Sequence, residues 1–83
     1  MSEQPGDVRA LIEQVAKVLV DAPDQVLVDQ FEEDGETVLE LEVAEADMGK
    51  VIGRHGRTAK AMRTLVSAVG DRANKRYALE ILE

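Results

Sequence analysis

At 83 residues the chain has room for one domain. A domain of that size buries only about 60–65% of its unfolded surface, which is marginal but sufficient without a staple. There is no cysteine, which excludes disulfides, thiolate metal sites and thiol nucleophiles together, and the net charge is −7.

That total does not describe the local field. Residues 1–49 hold 2 basic and 14 acidic side chains, whereas residues 50–76 hold 8 basic and 1 acidic. A polyanion responds to charge within a Debye length, ~8 Å at physiological salt, and not to the sum over the molecule. No apolar run approaches the ~18 residues of a membrane span, and no basic-then-apolar signal opens the chain. The expectation is a soluble cytoplasmic protein with no membrane association.

Met1 to Gly6 reads as a flexible lead-in. Asp7 can cap a first helix, on which Val8, Leu11, Ile12, Val15 and Leu19 fall in one apolar stripe. Asp21-Ala22-Pro23-Asp24 ends that helix, because proline cannot continue the ladder and disfavours helix in the residue before it. Val26 to Glu33 and Thr37 to Ala44 read as strands joined by Asp34-Gly35, a strong hairpin signal. A two-residue turn there sets Val26 opposite Val43, Val28 opposite Leu41 and Gln30 opposite Leu39, all on one largely apolar face. Leu27, Asp29, Phe31, Val38, Glu40 and Glu42 share the other face, where Asp29 opposite Glu40 is a mildly unfavourable like-charge pair.

Asp47 can cap a short helix from Met48 to Ile52. A second long helix is expected from Arg57 to Val69. Its core stripe is Ala59, Met62, Val66 and Val69, widened by Ala61, Leu65 and Ala68, and Gly70 is the expected residue just past its end. Arg76 to Leu82 alternates as a third strand, with Tyr77, Leu79 and Ile81 on one face and Ala78, Glu80 and Leu82 on the other.

Between the short helix and the long one lies Val51-Ile52-Gly53-Arg54-His55-Gly56-Arg57-Thr58-Ala59-Lys60-Ala61-Met62. The two glycines can take φ > 0 and let another backbone approach closely. The following helix turns its free N–H groups and positive dipole end toward them, which suits an anion. Arg54, His55, Arg57 and Lys60 add donors in the same place. This run resembles the I-G-x-x-G signature of KH domains, whose loop clamps about four nucleotides of a single strand.

The order α-β-β-α-α-β is similar to the type II KH fold. The resemblance covers about residues 7–83, a single domain. It implies an α+β architecture, a three-stranded mixed sheet covered on one face by three helices, with the second strand central and parallel to the third. Gly53, Arg54, His55 and Gly56 would form a backbone clamp for single-stranded RNA. Ile52, Ala59 and Met62 would floor a base-binding groove, and Arg57 and Lys60 would neutralise phosphates on its rim. Ala59 stands where many members of the family carry a larger aliphatic residue.

The chain's length makes it similar to small bacterial single-KH proteins of the KhpA type. Those pair with themselves or with a larger KH-containing protein, so a homodimer or such a heterodimer is a further expectation. An alternative reading is a protein-interaction module with weak RNA binding. It would use an apolar fringe, either Ala61, Leu65 and Ala68 or Leu27, Phe31, Val38 and Leu82.

One histidine without cysteine makes no convincing metal site, and no cofactor is expected. Phe31 and Tyr77 are the only aromatics, too few for a stacking platform. A P-loop needs a glycine where Val51 stands. No serine–histidine pairing or spaced carboxylate pair stands out, so no enzyme is expected.

Overall fold

The computed structural model describes residues 7–83, and the lead-in expected over Met1 to Gly6 lies outside them. The elements are α1 (Val8–Leu19), β1 (Leu27–Glu33), β2 (Glu36–Glu42), α2 (Met48–Ile52), α3 (Arg57–Arg72) and β3 (Tyr77–Ile81). Short 3-10 turns at Pro23–Gln25, Glu45–Asp47 and Arg54–Gly56 connect them. The order and sheet are those the α+β reading implies. The strands run β1-β2-β3, with β1 antiparallel and β3 parallel to the central β2.

Local chemistry sets most boundaries. The Asp7 carboxylate accepts from the Ala10 N–H at 3.4 Å and caps α1. Asp34 and Gly35 both take positive φ, 53° and 78°, which the tight hairpin turn requires. The register is the expected one, with Val28 opposite Leu41 and Gln30 opposite Leu39. Val26 and Val43, expected as the next pair, fall just outside the strands but are still buried.

The core lies between the sheet's inner face and the helices, with Val8, Ile12, Leu39, Leu41, Val51 and Val66 wholly enclosed. Each such side chain contributes about 1.5–3 kcal/mol by leaving water. Two arginines reach carbonyls of the edge strands: Arg9 donates to Val28 O at 3.3 Å and Arg63 to Leu79 O at 3.4 Å. Charged side chains at sheet edges discourage pairing with other chains.

Several expectations fail in detail. The α1 stripe is centred on Val8, Ile12 and Ala16, which leaves Leu11 at its exposed margin. Ala61, Leu65 and Ala68 do not widen the α3 core stripe and face outward. Val38 lies on the outer sheet face as expected, but it is only 4% exposed there and is not part of the main core.

Gly70 does not end α3. The helix runs on to Arg72, and Asn74 takes the left-handed conformation (φ 58°) beyond it. Gly70 is buried because the returning chain crosses it closely. Its carbonyl accepts from Lys75 N at 2.8 Å, and a Cβ there would lie 2.8 Å from Lys75 O and 3.4 Å from the Tyr77 side chain.

Two helical glycines therefore predict opposite outcomes. Gly49 in α2 is exposed with nothing within 4 Å of a built Cβ, so Gly49→Ala should stabilise by up to ~1 kcal/mol. Gly70→Ala gains the same helix propensity but forces a Cβ against a backbone carbonyl held by neighbouring hydrogen bonds. Overpacking costs about 1–3 kcal/mol, so the net change should be a loss. Urea melts of the two variants, compared with the parent, check both signs.

Candidate nucleic-acid interface

The turn between α2 and α3 is built by three unusual conformations within four residues. Gly53 sits at φ 79°, ψ 171°, a region essentially reserved for glycine. His55 (φ 57°, ψ 26°) and Gly56 (φ 72°, ψ 14°) are both left-handed. Histidine is among the residues enriched there, although a non-glycine residue in such a region carries about 1–3 kcal/mol of strain.

The glycines supply shape and not donors. The Gly53 N–H is consumed by Gly49 O at 2.9 Å, the Gly56 N–H by Gly53 O at 3.1 Å and the Arg57 N–H by Arg54 O. Their roles also differ. A Cβ at Gly53 would collide with the side chain of Thr58 and stand 2.8 Å from its backbone nitrogen. At Gly56 it would meet nothing within 4 Å. Thr58 therefore fills the space that Gly53 leaves open and locks the first turn of α3 against the loop. The sequence reading did not single out Thr58, since no spacing rule marks a threonine as the partner of an absent side chain.

The expected donors surround this turn. Arg54, His55, Arg57 and Lys60 are all exposed, and among the described residues none is paired with a carboxylate. Arg54, Arg57 and Lys60 present positive charge, and His55 a further donor, at the N-terminal end of a 16-residue helix, whose dipole has the same sign. Lys50, one helix away, is not available in this way. Its ammonium lies 3.3 Å from Asp21 and 3.5 Å from Asp47. The hydrogen bond and charge of Asp21, aided by Asp47, push its pKa above the usual lysine value.

Asp47 stands at the start of α2 but does not cap it. Its carboxylate instead accepts from Ala22 N at 3.1 Å. Desolvation there pushes its pKa up, but hydrogen bonds from the backbone of Asp21 and Ala22 and the Lys50 ammonium outweigh it and hold the carboxyl below its usual value. Through the buried Asp47, this cluster ties the segment that follows α1 to the start of α2.

The expected groove floor is uneven. Ile52 is half-buried and offers apolar surface beside Gly53, but Ala59 and Met62 are each only 3% exposed and belong to the packed underside of α3. The turn thus brings Gly53, Arg54, His55, Gly56, Arg57 and Lys60 together at the surface with Ile52 at their margin, and Ala59 lies beneath them.

A three-stranded mixed sheet, helices on one face and a glycine-flanked basic turn between the second and third helices define an α+β domain of the KH class. The chain belongs to the KhpA/KhpB KH domain family, whose model matches residues 9–81. Among curated relatives it is 49% identical over 74 residues to the RNA-binding protein KhpA of Clostridium acetobutylicum, covering 89% of this chain and 99% of that one. It is likewise 49% identical over 73 residues to the Treponema pallidum protein of that name, covering 88% and 91%. The Aquifex aeolicus protein of that name is 48% identical over 73 residues, covering 88% and 92%. Among solved structures, Aquifex aeolicus Era bound to GDP and aluminium fluoride superposes with a TM-score of 0.61 at 17% identity. The match covers 98% of this chain but 31% of that one, a likeness of fold alone.

The asymmetry between the two glycines is directly testable. Gly53→Ala should cost about 3 kcal/mol or more, combining a forbidden backbone region with a clash against Thr58. Gly56→Asn should cost under ~1 kcal/mol, because asparagine tolerates the left-handed conformation and the space is open. Chemical denaturation of the two single variants should rank them in that order.

Proposed function

We propose that this chain is a non-enzymatic, cytoplasmic RNA-binding protein. In this reading residues 7–83 form one KH unit that grips single-stranded RNA at Gly53–Gly56. The observation that carries the reading is the set of four exposed cationic or donor side chains, free of carboxylate partners, on a turn whose backbone is hydrogen-bonded internally. The relatives named RNA-binding protein KhpA support it, since they match nearly the whole chain. Arg54 and His55 meet the sugar–phosphate backbone from the tip of the turn. Arg57 and Lys60 neutralise phosphates along the first turn of α3, and Ile52 offers the apolar edge on which a base rests.

Replacing Arg54 and His55 together with aspartate tests this reading. Aspartate also tolerates the left-handed conformation of His55, so the circular dichroism spectrum and melting temperature should stay near those of the parent. Binding of a labelled single-stranded RNA should drop by about a hundred-fold or more, since each lost charge-assisted bond contributes about 1.5–3 kcal/mol. For the parent, contact with three or four phosphates gives a slope of log K against log salt of roughly −2 to −3. A folded double variant that still binds within a few-fold of the parent would refute the clamp.

A second reading is favoured by α3 itself. Ala61, Leu65 and Ala68 form an exposed apolar stripe beside the cationic one. That stripe suits pairing with a second KH domain, in a homodimer or with a larger KH-containing partner, and is compatible with RNA at the turn. Leu65→Asp should then shift a concentration-dependent dimer to monomer in sedimentation without loss of helical signal. A parent that remains a strict monomer at high micromolar concentration argues against self-pairing.

A further inference from the structure

The outer face of the sheet has an order of its own. Asp29, Glu40 and Glu80 stand directly across from one another on the three strands, one carboxylate per strand. Like charges directly opposite destabilise a sheet. Among the described residues no cation offsets them, because all four ion pairs use Glu13, Asp21 or Asp47.

The rows on both sides of it are largely apolar. On one side lie Phe31, Val38 and Ala78, with Phe31 39% exposed and Val38 shut off from solvent. On the other lie Leu27 and Leu82, 59% and 38% exposed, flanking Glu42. Leu82 N donates to Leu41 O at 2.9 Å, which holds that residue in line past the end of β3. The surface is therefore a strip of unneutralised negative charge with exposed apolar side chains on both sides, Phe31 on one and Leu27 and Leu82 around Glu42 on the other, on the face opposite the helices.

We propose that this face docks a basic amphipathic helix of another protein. Charge selects the occupant: a nucleic acid is repelled, whereas a cationic segment supplies the counter-charges the row lacks. Spacing selects its pattern. Successive rows on one face are ~6.8 Å apart, so the two apolar rows are separated by ~13–14 Å. A helix lying along the strands rises ~12 Å in eight residues. Apolar side chains at i and i+8 then reach the two apolar rows, and Arg or Lys at i+4 and i+5 falls over the carboxylates. Because α1, α2 and α3 cover the opposite face, such a helix leaves the Gly53–Gly56 turn open.

The test uses a fluorescent peptide of about 18 residues, long enough to form a helix, with Leu at i and i+8 and Arg at i+4 and i+5. A twin carries Ser in place of each Leu. Anisotropy at physiological salt should show saturable binding of the first peptide to the parent. Glu40→Gln with Glu80→Gln should weaken it about ten-fold or more. Asp24→Asn with Asp71→Asn removes the same charge from exposed residues elsewhere and should leave it unchanged. The serine twin should bind as poorly as the row variant does. That variant should also melt no lower than the parent, since it relieves repulsion, and should bind RNA as the parent does. Three outcomes overturn the proposal. These are no saturable binding to the parent, equal losses in the row and control variants, and a parent dimer that only the row variant dissociates, which would assign the face to a second copy.

Discussion

There is no room for a side chain at residue 53, and the rest of the turn follows from that. With no Cβ at Gly53, the backbone can leave α2 at φ 79°, ψ 171° and bring Thr58 into the vacant space. Once Thr58 is there, the start and direction of α3 are set. With them go the positions of Arg57 and Lys60 on its first turn and the contact of its underside with the core. The left-handed pair His55-Gly56 closes the corner, and its strain is tolerated because Gly49 O, Gly53 O and Arg54 O already hold the backbone in place.

The same architecture sorts the basic residues by availability. Lys50 is offset by two carboxylates, and Arg63 has one of its donors committed to a carbonyl of β3. The loop cations have no such partners. A molecule with a net charge of −7 can therefore present a positive surface, because screening over ~8 Å separates the loop from the acidic sheet.

Much of the fold was legible because it depends on local chemistry. Asp34-Gly35 demands a two-residue turn, and that turn fixes the register of every pair in the hairpin. Asp7 caps α1 for the same kind of reason, and the glycine pair marked the corner where the cations gather. What was not legible depends on residues far apart in sequence. Gly70 looks like a stop signal, yet it is a contact point for Lys75 and Tyr77, which only the folded chain brings back. Asp47 has the position of a cap, but a backbone N–H presented by Ala22, 25 residues earlier, takes its carboxylate. Ala61, Leu65 and Ala68 fit a helical stripe, but α3 has neighbours on one side only. Hydrophobic periodicity reports which residues share a face and not whether another element covers it.

The candidate site also limits the kind of recognition it can perform. Ala59 and Met62 are almost wholly buried, so beside the turn only Ile52 offers apolar surface to a base. Phe31 lies on the outer face of β1 and Tyr77 against Gly70, so the one ring at the turn on which a base could stack is the imidazole of His55. Stacking contributes about 1–3 kcal/mol per base where it occurs. For RNA held at this turn, affinity must then come mainly from phosphate contacts, which position a strand but do not read its sequence. Selectivity among RNAs would have to be added by whatever the domain assembles with, which gives the uncovered surfaces of α3 and of the sheet a direct bearing on function.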